Sequence, residues 1–419
     1  IMKTTVSRAA RQVVSQRSIN IHVAELQLGM FVSNLDRDWL ETPFVTQGFI
    51  IETEEHIALL REYCDTVWVD KVFSKWVKAE TQTVFESPTH LSLIHQVPAQ
   101  DEHENASSIY QKTKQITKTL MDEVRLGHAI DTKSAKEAVS GCVTSVMQNP
   151  DALLWMAKMR NSDEYTSEHC MSVCILAIAF GRYLGMNEKE LNDLGLCGLL
   201  HDVGKIQIPD EILNKPARLT SDEWGVMMRH AAHGRDLLLS TSNILSVAVD
   251  VAYAHHERID GNGYPRGLKG AAIPTYARII AVVDTYDAVT ADRCYAPGMP
   301  TTDALRILYE SRDTHFDGHL VDSFMKMIGL YPPGTIVELV NGKVALVLAS
   351  NHKYQHLPRI IQILDEGKNK VPERVINLMD VEKERLDKNY FIKKAHVDGA
   401  FGINMRDYQA KGIQFSRAS

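Results

Sequence analysis

The residues with the types and spacing to do chemistry fall within positions 169–293. A lone His169 comes first. It is followed by Gly198-Leu199-Leu200-His201-Asp202-Val203-Gly204-Lys205, then His230, then His255-His256-Glu257-x-x-Asp260-Gly261-Asn262-Gly263-Tyr264-Pro265. Asp284 follows inside an apolar run. Five imidazoles and two carboxylates at these separations look like the shell of a site for two metal ions.

Taken one at a time, these residues say little. A His-Asp pair is expected by chance in a chain this size, and His169 or His230 alone reads more readily as a satisfied core or surface histidine. Position gives His201-Asp202 its weight. It closes an apolar helical stretch, and buried His and Asp are costly there unless paired or bound to metal. Neighbouring side chains on a helix diverge by about 100°, so both reach one site only where the helix packs closely around it. His255-His256 repeats the arrangement just before a glycine-rich loop. His233 lies near the face of His230 and reads equally as structural or as a support for a ligand. His315 and His319 are not needed and are expected at the surface. In the loop, Gly261 and Gly263 allow unusual backbone conformations, and Tyr264 can stack on a base. Closing the site and packing on its own helices is an equal reading of the same residues.

The elements that must position these groups are helical. Ile116, Leu120 and Val124, and then Ala138, Val139, Cys142, Val143 and Val146, recur at three and four residues. Asn149-Pro150 breaks the pattern, and an amphipathic run in two pieces covers about 151–184. Further helices are expected at 191–201, from a Thr220-x-x-Glu223 capping signature onward, at 244–256 and at 277–291. Gly and Pro concentrate in 261–274, which reads as a loop. Upstream, residues 1–20 read as a loose arm and 21–70 as a small β-rich domain with one helix near 54–63. Residues 71–107 read as a linker in which His90, His95 and His103 are solvated loop residues. Downstream, Asn341-Gly342 between two apolar runs predicts a two-residue hairpin in a β extension over 335–380, with a third strand at 360–364. Residues 381–419 form a tail without a legible pattern. The 419 residues thus divide into several domains, the helical one that carries these groups at 108–334.

The totals exclude other classes. With 46 basic and 53 acidic residues the formal net charge is −7, and no dense Lys/Arg run argues for a nucleic-acid polymer as partner. A small anionic substrate stays open, because a metal supplies positive charge that the sequence total does not show. The longest apolar runs fall far short of the roughly 20 residues a membrane-spanning helix needs. The six cysteines show no paired CxxC spacing, and Cys170 and Cys174 read as small buried side chains. With a polar, basic start and no export signal, the expected location is the cytoplasm.

Four segments carry a family likeness. They are His201-Asp202-x-Gly204-Lys205 with Lys215-Pro216, His230, the stretch from His255 through Tyr264-Pro265-x-Gly267-x-x-Gly270, and Ala277-Arg278 through Asp284-x-Tyr286-Asp287-Ala288. Together they resemble the HD-GYP family, a branch of the HD superfamily of metal-dependent phosphohydrolases, over roughly residues 140–335. Leu40-Glu41-Thr42-Pro43-Phe44 and Val67-Trp68-Val69-Asp70 resemble the small N-terminal domain of unknown function found ahead of some HD-GYP domains. The resemblance implies a mainly α protein: an all-α helical-bundle catalytic domain, a small β-rich N-terminal domain and a short C-terminal β-hairpin extension. It implies a phosphodiesterase that opens a 3′,5′-cyclic dinucleotide, cyclic di-GMP or 3′3′-cyclic GMP-AMP, to the linear 5′-phosphorylated form.

Carried over residue by residue, the resemblance implies one ion held by His169, His201, Asp202 and Asp284, and a second by His230, His255 and His256, with Asp202 bridging. A bridging water deprotonated by both ions would attack phosphorus. Lys205 would neutralise a phosphate oxygen or assist the leaving group. Gly263, Tyr264, Pro265, Arg278 and Arg293 resemble substrate-side positions, a buried salt bridge being an equal reading for either arginine. The mixed N/O ligands suit Fe or Mn, with Zn, Ni or Mg as alternatives. Some members hold a third ion through a Glu four residues before the first His. Tyr165 stands there, and Glu164 and Glu168 point about 140° and 100° away from His169 on a helix, so two ions are expected. Cys294 replaces the usual Pro between Arg293 and Tyr295, which touches loop shape only. Two rival readings are an HD hydrolase of ordinary nucleotides and a catalytically degenerate sensor or scaffold docking a partner such as a cyclase domain. Retention of all seven ligands and Lys205 separates the enzyme from the degenerate protein. A homodimer is compatible with the amphipathic helix before His169, though such stripes more often pack within their own chain.

Overall fold

The computed structural model describes residues 18–37, 42, 49–51, 54–70, 99–158, 165–291, 298–351 and 354–403. The chain divides into two compact units, 1–83 and 84–419. In the first, β1 (Ser18–His22), β2 (Phe31–Leu35), β3 (Phe49–Ile50), α1 (Glu54–Tyr63) and β4 (Thr66–Asp70) follow in order. Their antiparallel sheet runs β1-β4-β2-β3. Alternation along the strands sends Val32, Leu35, Val67 and Val69 into one buried cluster with Ile57 and Leu60 of α1. The expected β-rich domain with its single helix is therefore present.

The second unit is helical up to residue 328. It contains α2 (Ala99–Arg125), α3 (Thr132–Gln148), α4 (Pro150–Lys158), α5 (Tyr165–Tyr183), α6 (Glu188–Leu200), α7 (Asp210–Leu213), α8 (Ser221–Met228), α9 (His230–Leu239), α10 (Ser246–Ala254), α11 (Thr275–Thr290), α12 (Thr301–Glu310) and α13 (Gly318–Ile328). The bundle is built round α5, whose residues 168–180 are all buried. A helix apolar on every side has no solvent face and must lie at the centre. α6 and α11 pack along it. Asn187 and Glu190 form a capping box that starts α6, so the helix runs in fixed register to its end at Leu200.

There the chain tightens into a 3-10 turn, Val203–Gln207, which presses on α9. Gly204 permits the approach: a Cβ on it would lie 2.0 Å from the His230 carbonyl oxygen and 2.3 Å from the Gly234 nitrogen. This backbone contact sets the distance between Asp202 and His230.

Several expectations need correction. The linker does not extend to 107, because α2 begins at Ala99 and His103 lies on a helix. The acidic stretch hid the helix: Glu102 sits at a buried position, accepting hydrogen bonds from Ser145 Oγ (2.6 Å) and Asn105 Nδ2 (2.7 Å), where an apolar residue would have shown the period. His90 and His95 lie outside the described residues. The C-terminal extension is more than a hairpin. β5 (Ile336–Leu339), β6 (Val344–Ala349), β7 (Arg359–Leu364), β8 (Lys370–Asn377) and β9 (Ile392–His396) form a five-stranded antiparallel sheet ordered β8-β7-β6-β5-β9. Asn341-Gly342 does lie in the turn joining β5 to β6, but Glu338 stands opposite Val344, Leu339 N–H donates to the Lys343 carbonyl and Gly342 N–H to the Leu339 carbonyl, so the loop is three residues, Val340–Gly342, rather than the expected two. The patternless tail supplies β9, which pairs with β5. Among the described residues, no helix is long and apolar enough to cross a membrane.

Candidate metal centre

Five elements converge on Asp202. α5 brings His169, the end of α6 brings His201 and Asp202, α9 opens with His230, the end of α10 brings His255 and His256, and α11 brings Asp284. The Asp202 carboxylate faces both ways. Its Oδ2 lies 3.3 Å from His201 Nε2 and 3.6 Å from His169 Nε2, while its Oδ1 lies 3.4 Å from His230 Nε2 and 3.7 Å from His255 Nε2. Asp284 Oδ1 is 3.0 Å from His169 Nε2 and 3.7 Å from His201 Nε2. Ligand atoms of Asp202, His230, His255 and His256 form one group within 4.8 Å of one another; His169, His201 and Asp202 form a second; His201, His255 and Asp284 form a third. All seven residues expected as ligands are thus brought together.

Four of the imidazoles are held by the nitrogen that faces away from the cluster. His169 Nδ1 donates to Asp287 Oδ2 (2.7 Å), His201 Nδ1 to the Gly198 carbonyl (2.8 Å), His230 Nδ1 to the Met227 carbonyl (2.7 Å) and His255 Nδ1 to the Val251 carbonyl (3.1 Å). Each bond fixes the tautomer that leaves the Nε2 lone pair pointing inward, as a metal ligand requires. His256 makes no such bond among the described residues; its ring stacks on Tyr264 instead, centroids 4.8 Å apart and 29° between planes. His201 Nε2 and Asp202 Oδ1 are buried with no hydrogen-bond partner. Orphaned acceptors in a dry cluster are what a bound cation would satisfy, so the residues present fit divalent metal.

The two sides of the cluster differ electrostatically. Burial would raise Asp202, yet Lys205, His201 and His169 overcome it and hold the carboxyl well below its usual range. Burial pulls His201 down, but Asp202 and Asp284 lift it to about 9. On the other side, burial with Lys205 and His255 outweighs Asp202 and takes His230 to about 4, and His256 is likewise depressed by burial, His255 and His230. Lys205 Nζ lies 2.5 Å from Asp202 Oδ2, and that carboxylate overcomes burial to raise its pKa, so it keeps its charge.

The remaining candidates lie less directly on the cluster. Gly263 is required by close approach, since a Cβ there would meet Arg258 N at 2.3 Å and Glu257 Cα at 2.5 Å. Pro265 follows Tyr264 through a cis peptide. Arg278 takes the salt-bridge reading: its guanidinium is 2.6 Å from Asp317 and 3.1 Å from Thr275 Oγ1. Arg293 and Cys294 lie outside the described residues. Glu168 is paired with Lys114.

Two supporting residues carried no role in the sequence reading. Asp287 orients His169, and its signal was its place one turn beyond Asp284 on α11. Glu257 is buried and accepts the backbone N–H groups of Arg266 (2.8 Å) and Leu268 (2.9 Å), pinning the glycine loop; its signal was a carboxylate directly following the paired histidines.

A helical bundle carrying a His-Asp step between a core helix and a tight turn defines the HD class, and comparison with known proteins agrees. The HD domain profile matches residues 151–320, and the domain of unknown function DUF3391 matches 18–135. A Pseudomonas aeruginosa protein named as a cyclic di-GMP phosphodiesterase is 36% identical over 373 residues, covering 85% of this chain and 88% of its own. A Xanthomonas campestris response regulator with the same named activity is 44% identical over 34% of this chain and 38% of its own. A Vibrio cholerae protein named as a 3′3′-cGAMP-specific phosphodiesterase is 36% identical over 40% of this chain and 36% of its own. The chain belongs to the HD-domain family.

Proposed function

We propose that the protein is a metal-dependent phosphodiesterase that opens a 3′,5′-cyclic dinucleotide, cyclic di-GMP or 3′3′-cyclic GMP-AMP, to a linear 5′-phosphorylated dinucleotide in the cytoplasm. The observation that carries the reading is the division of the Asp202 carboxylate, one oxygen toward His169 and His201 and the other toward His230 and His255. The names of the relatives support the substrate class.

In this reading His169, His201, Asp202 and Asp284 would hold one divalent ion, and His230, His255, His256 and Asp202 a second; iron or manganese suits the donor set. When bound, such ions activate water and draw charge from phosphoryl oxygens. The chain's own groups do the rest. Lys205, kept protonated beside Asp202, places a positive charge at the edge of the cluster, where phosphate oxygens gain negative charge. Tyr264 stays protonated, because burial and then Asp202 and Asp284 raise its hydroxyl, so it adds no anion to repel phosphate. Glu257 ties the loop at 266–268 back to the segment that carries His255 and His256. Water adds to phosphorus, the P–O3′ bond breaks, and the leaving 3′ oxygen takes a proton, which leaves the phosphate on the 5′ carbon.

The test is to incubate purified protein, loaded with iron or manganese, with each cyclic dinucleotide separately and to identify linear products. Cleavage that disappears in Asp202→Ala is expected. No cleavage of either by the wild type with any of these ions would end the reading.

A further inference from the structure

Tyr264 is the aromatic residue that sequence alone would assign to a nucleobase, but one face of its ring is taken by His256. Beyond it stands Trp224, on α8, with its ring centroid 6.2 Å from that of Tyr264 and its plane at 83°. Trp224 is 47% exposed, a large apolar surface left in water beside a buried ligand cluster.

It is also rigidly placed. A capping box between Thr220 and Glu223 fixes the start of α8. The Glu223 carboxylate is gripped by Lys215 Nζ at 2.6 and 2.7 Å. The helix leads directly into His230 at the start of α9. From His256 to Tyr264 is 4.8 Å, so Trp224 lies no farther from a candidate ligand than that step and the 6.2 Å one laid end to end. That bound keeps Trp224 within the reach of a nucleotide whose phosphorus sits at the cluster.

We propose that Trp224 is the stacking platform for a purine base of the substrate, whose phosphodiester lies over the Asp202 cluster. The proposal rests on the phosphodiesterase reading and deepens it. An indole offers a broad π-face at low entropy cost and accepts any purine, because stacking does not read hydrogen-bonding edges. Trp224 therefore supplies affinity without choosing between guanine and adenine.

The experiment uses full-length, metal-loaded wild type, Trp224→Ala, Trp224→Leu and Trp224→Phe. Steady-state cleavage of cyclic di-GMP and of 3′3′-cyclic GMP-AMP is measured, together with equilibrium titrations followed by intrinsic tryptophan fluorescence. Stacking predicts a KM raised about 5- to 100-fold in the Ala and Leu variants, by a similar factor for whichever cyclic dinucleotides are cleaved, with kcat within about twofold. The Phe variant recovers most of the affinity. The wild type is quenched on binding, and that component is missing in the Phe variant. A merely structural role would move Leu and Phe alike and leave the quench in place, which overturns the proposal, as does an unchanged KM in Trp224→Ala. If the wild type cleaves nothing, the phosphodiesterase reading fails by itself. The titration then decides separately: a quench lost in the Phe variant upholds the base contact, and no Trp224-dependent quench removes it.

Discussion

Replacing Asp287 with alanine removes the partner of His169 Nδ1 without touching any residue assigned to the metal. The bond is 2.7 Å long, and both groups are buried. Bonds to an ionised carboxylate are about twice as strong as neutral ones, and an N–H stranded in the interior costs about 1–3 kcal/mol. Each 1.4 kcal/mol is tenfold in affinity, so the ion beside His169 should bind roughly 5- to 150-fold more weakly in Asp287→Ala. Outer partners of metal-bound histidines commonly contribute 10–100-fold, which brackets the same range. Asp287→Asn keeps an acceptor for the N–H and should lose less. The assay is competition for manganese or iron against a chelator of known affinity, with circular dichroism to confirm the fold. The reasoning is refuted if Asp287→Ala folds, binds both ions as the wild type does, and shows only a lower melting temperature.

Three other outcomes follow from the same geometry. Burial pushes the Asp151 carboxyl up to about 7 against the Ser350 N–H and Arg182. The native state then keeps a proton that the unfolded chain releases near pH 4, so this group's contribution is full below pH 4, declines up to about pH 7 and is flat beyond, a loss of about 4 kcal/mol in all. Asp151→Asn should abolish that decline relative to wild type in denaturant titrations at pH 4.5 and 8. Gly204→Ala puts a carbon 2.0 Å from the His230 carbonyl oxygen, so the turn must leave α9; a loss of at least about 1–3 kcal/mol with weakened metal binding is expected, checked by urea unfolding and metal analysis. Glu257→Ala strands two backbone N–H groups and should speed hydrogen exchange at 266–268 while the bundle helices keep their protection.

The site was more legible than its supports. The ligand types stand at helix ends, where the chain gives both a local pattern and a break, so His201-Asp202 and His255-His256 could be singled out. The Thr220-Glu223 capping box was readable because all its information lies within four residues. The start of α2 was not, since Glu102 replaces an apolar residue at a buried position and its partner Ser145 is remote in sequence. The strand β8 carries Pro372, Glu373 and Arg374 on an exposed edge, where hydrophobic alternation is not needed. The strand β9 is defined by pairing with β5 across more than fifty residues, a contact no local window contains. Tyr264 shows a further limit: its type suggested a base platform, but which ring it stacks on depends on three-dimensional placement.

The central claim is that Asp202 stands between two ions. Anomalous difference maps from crystals of the manganese- or iron-loaded protein test it most directly. The account predicts two peaks, one between His169, His201 and Asp284 and the other between His230, His255 and His256, with the Asp202 carboxylate reaching both. A single peak, or none in protein that binds metal in solution, would contradict it.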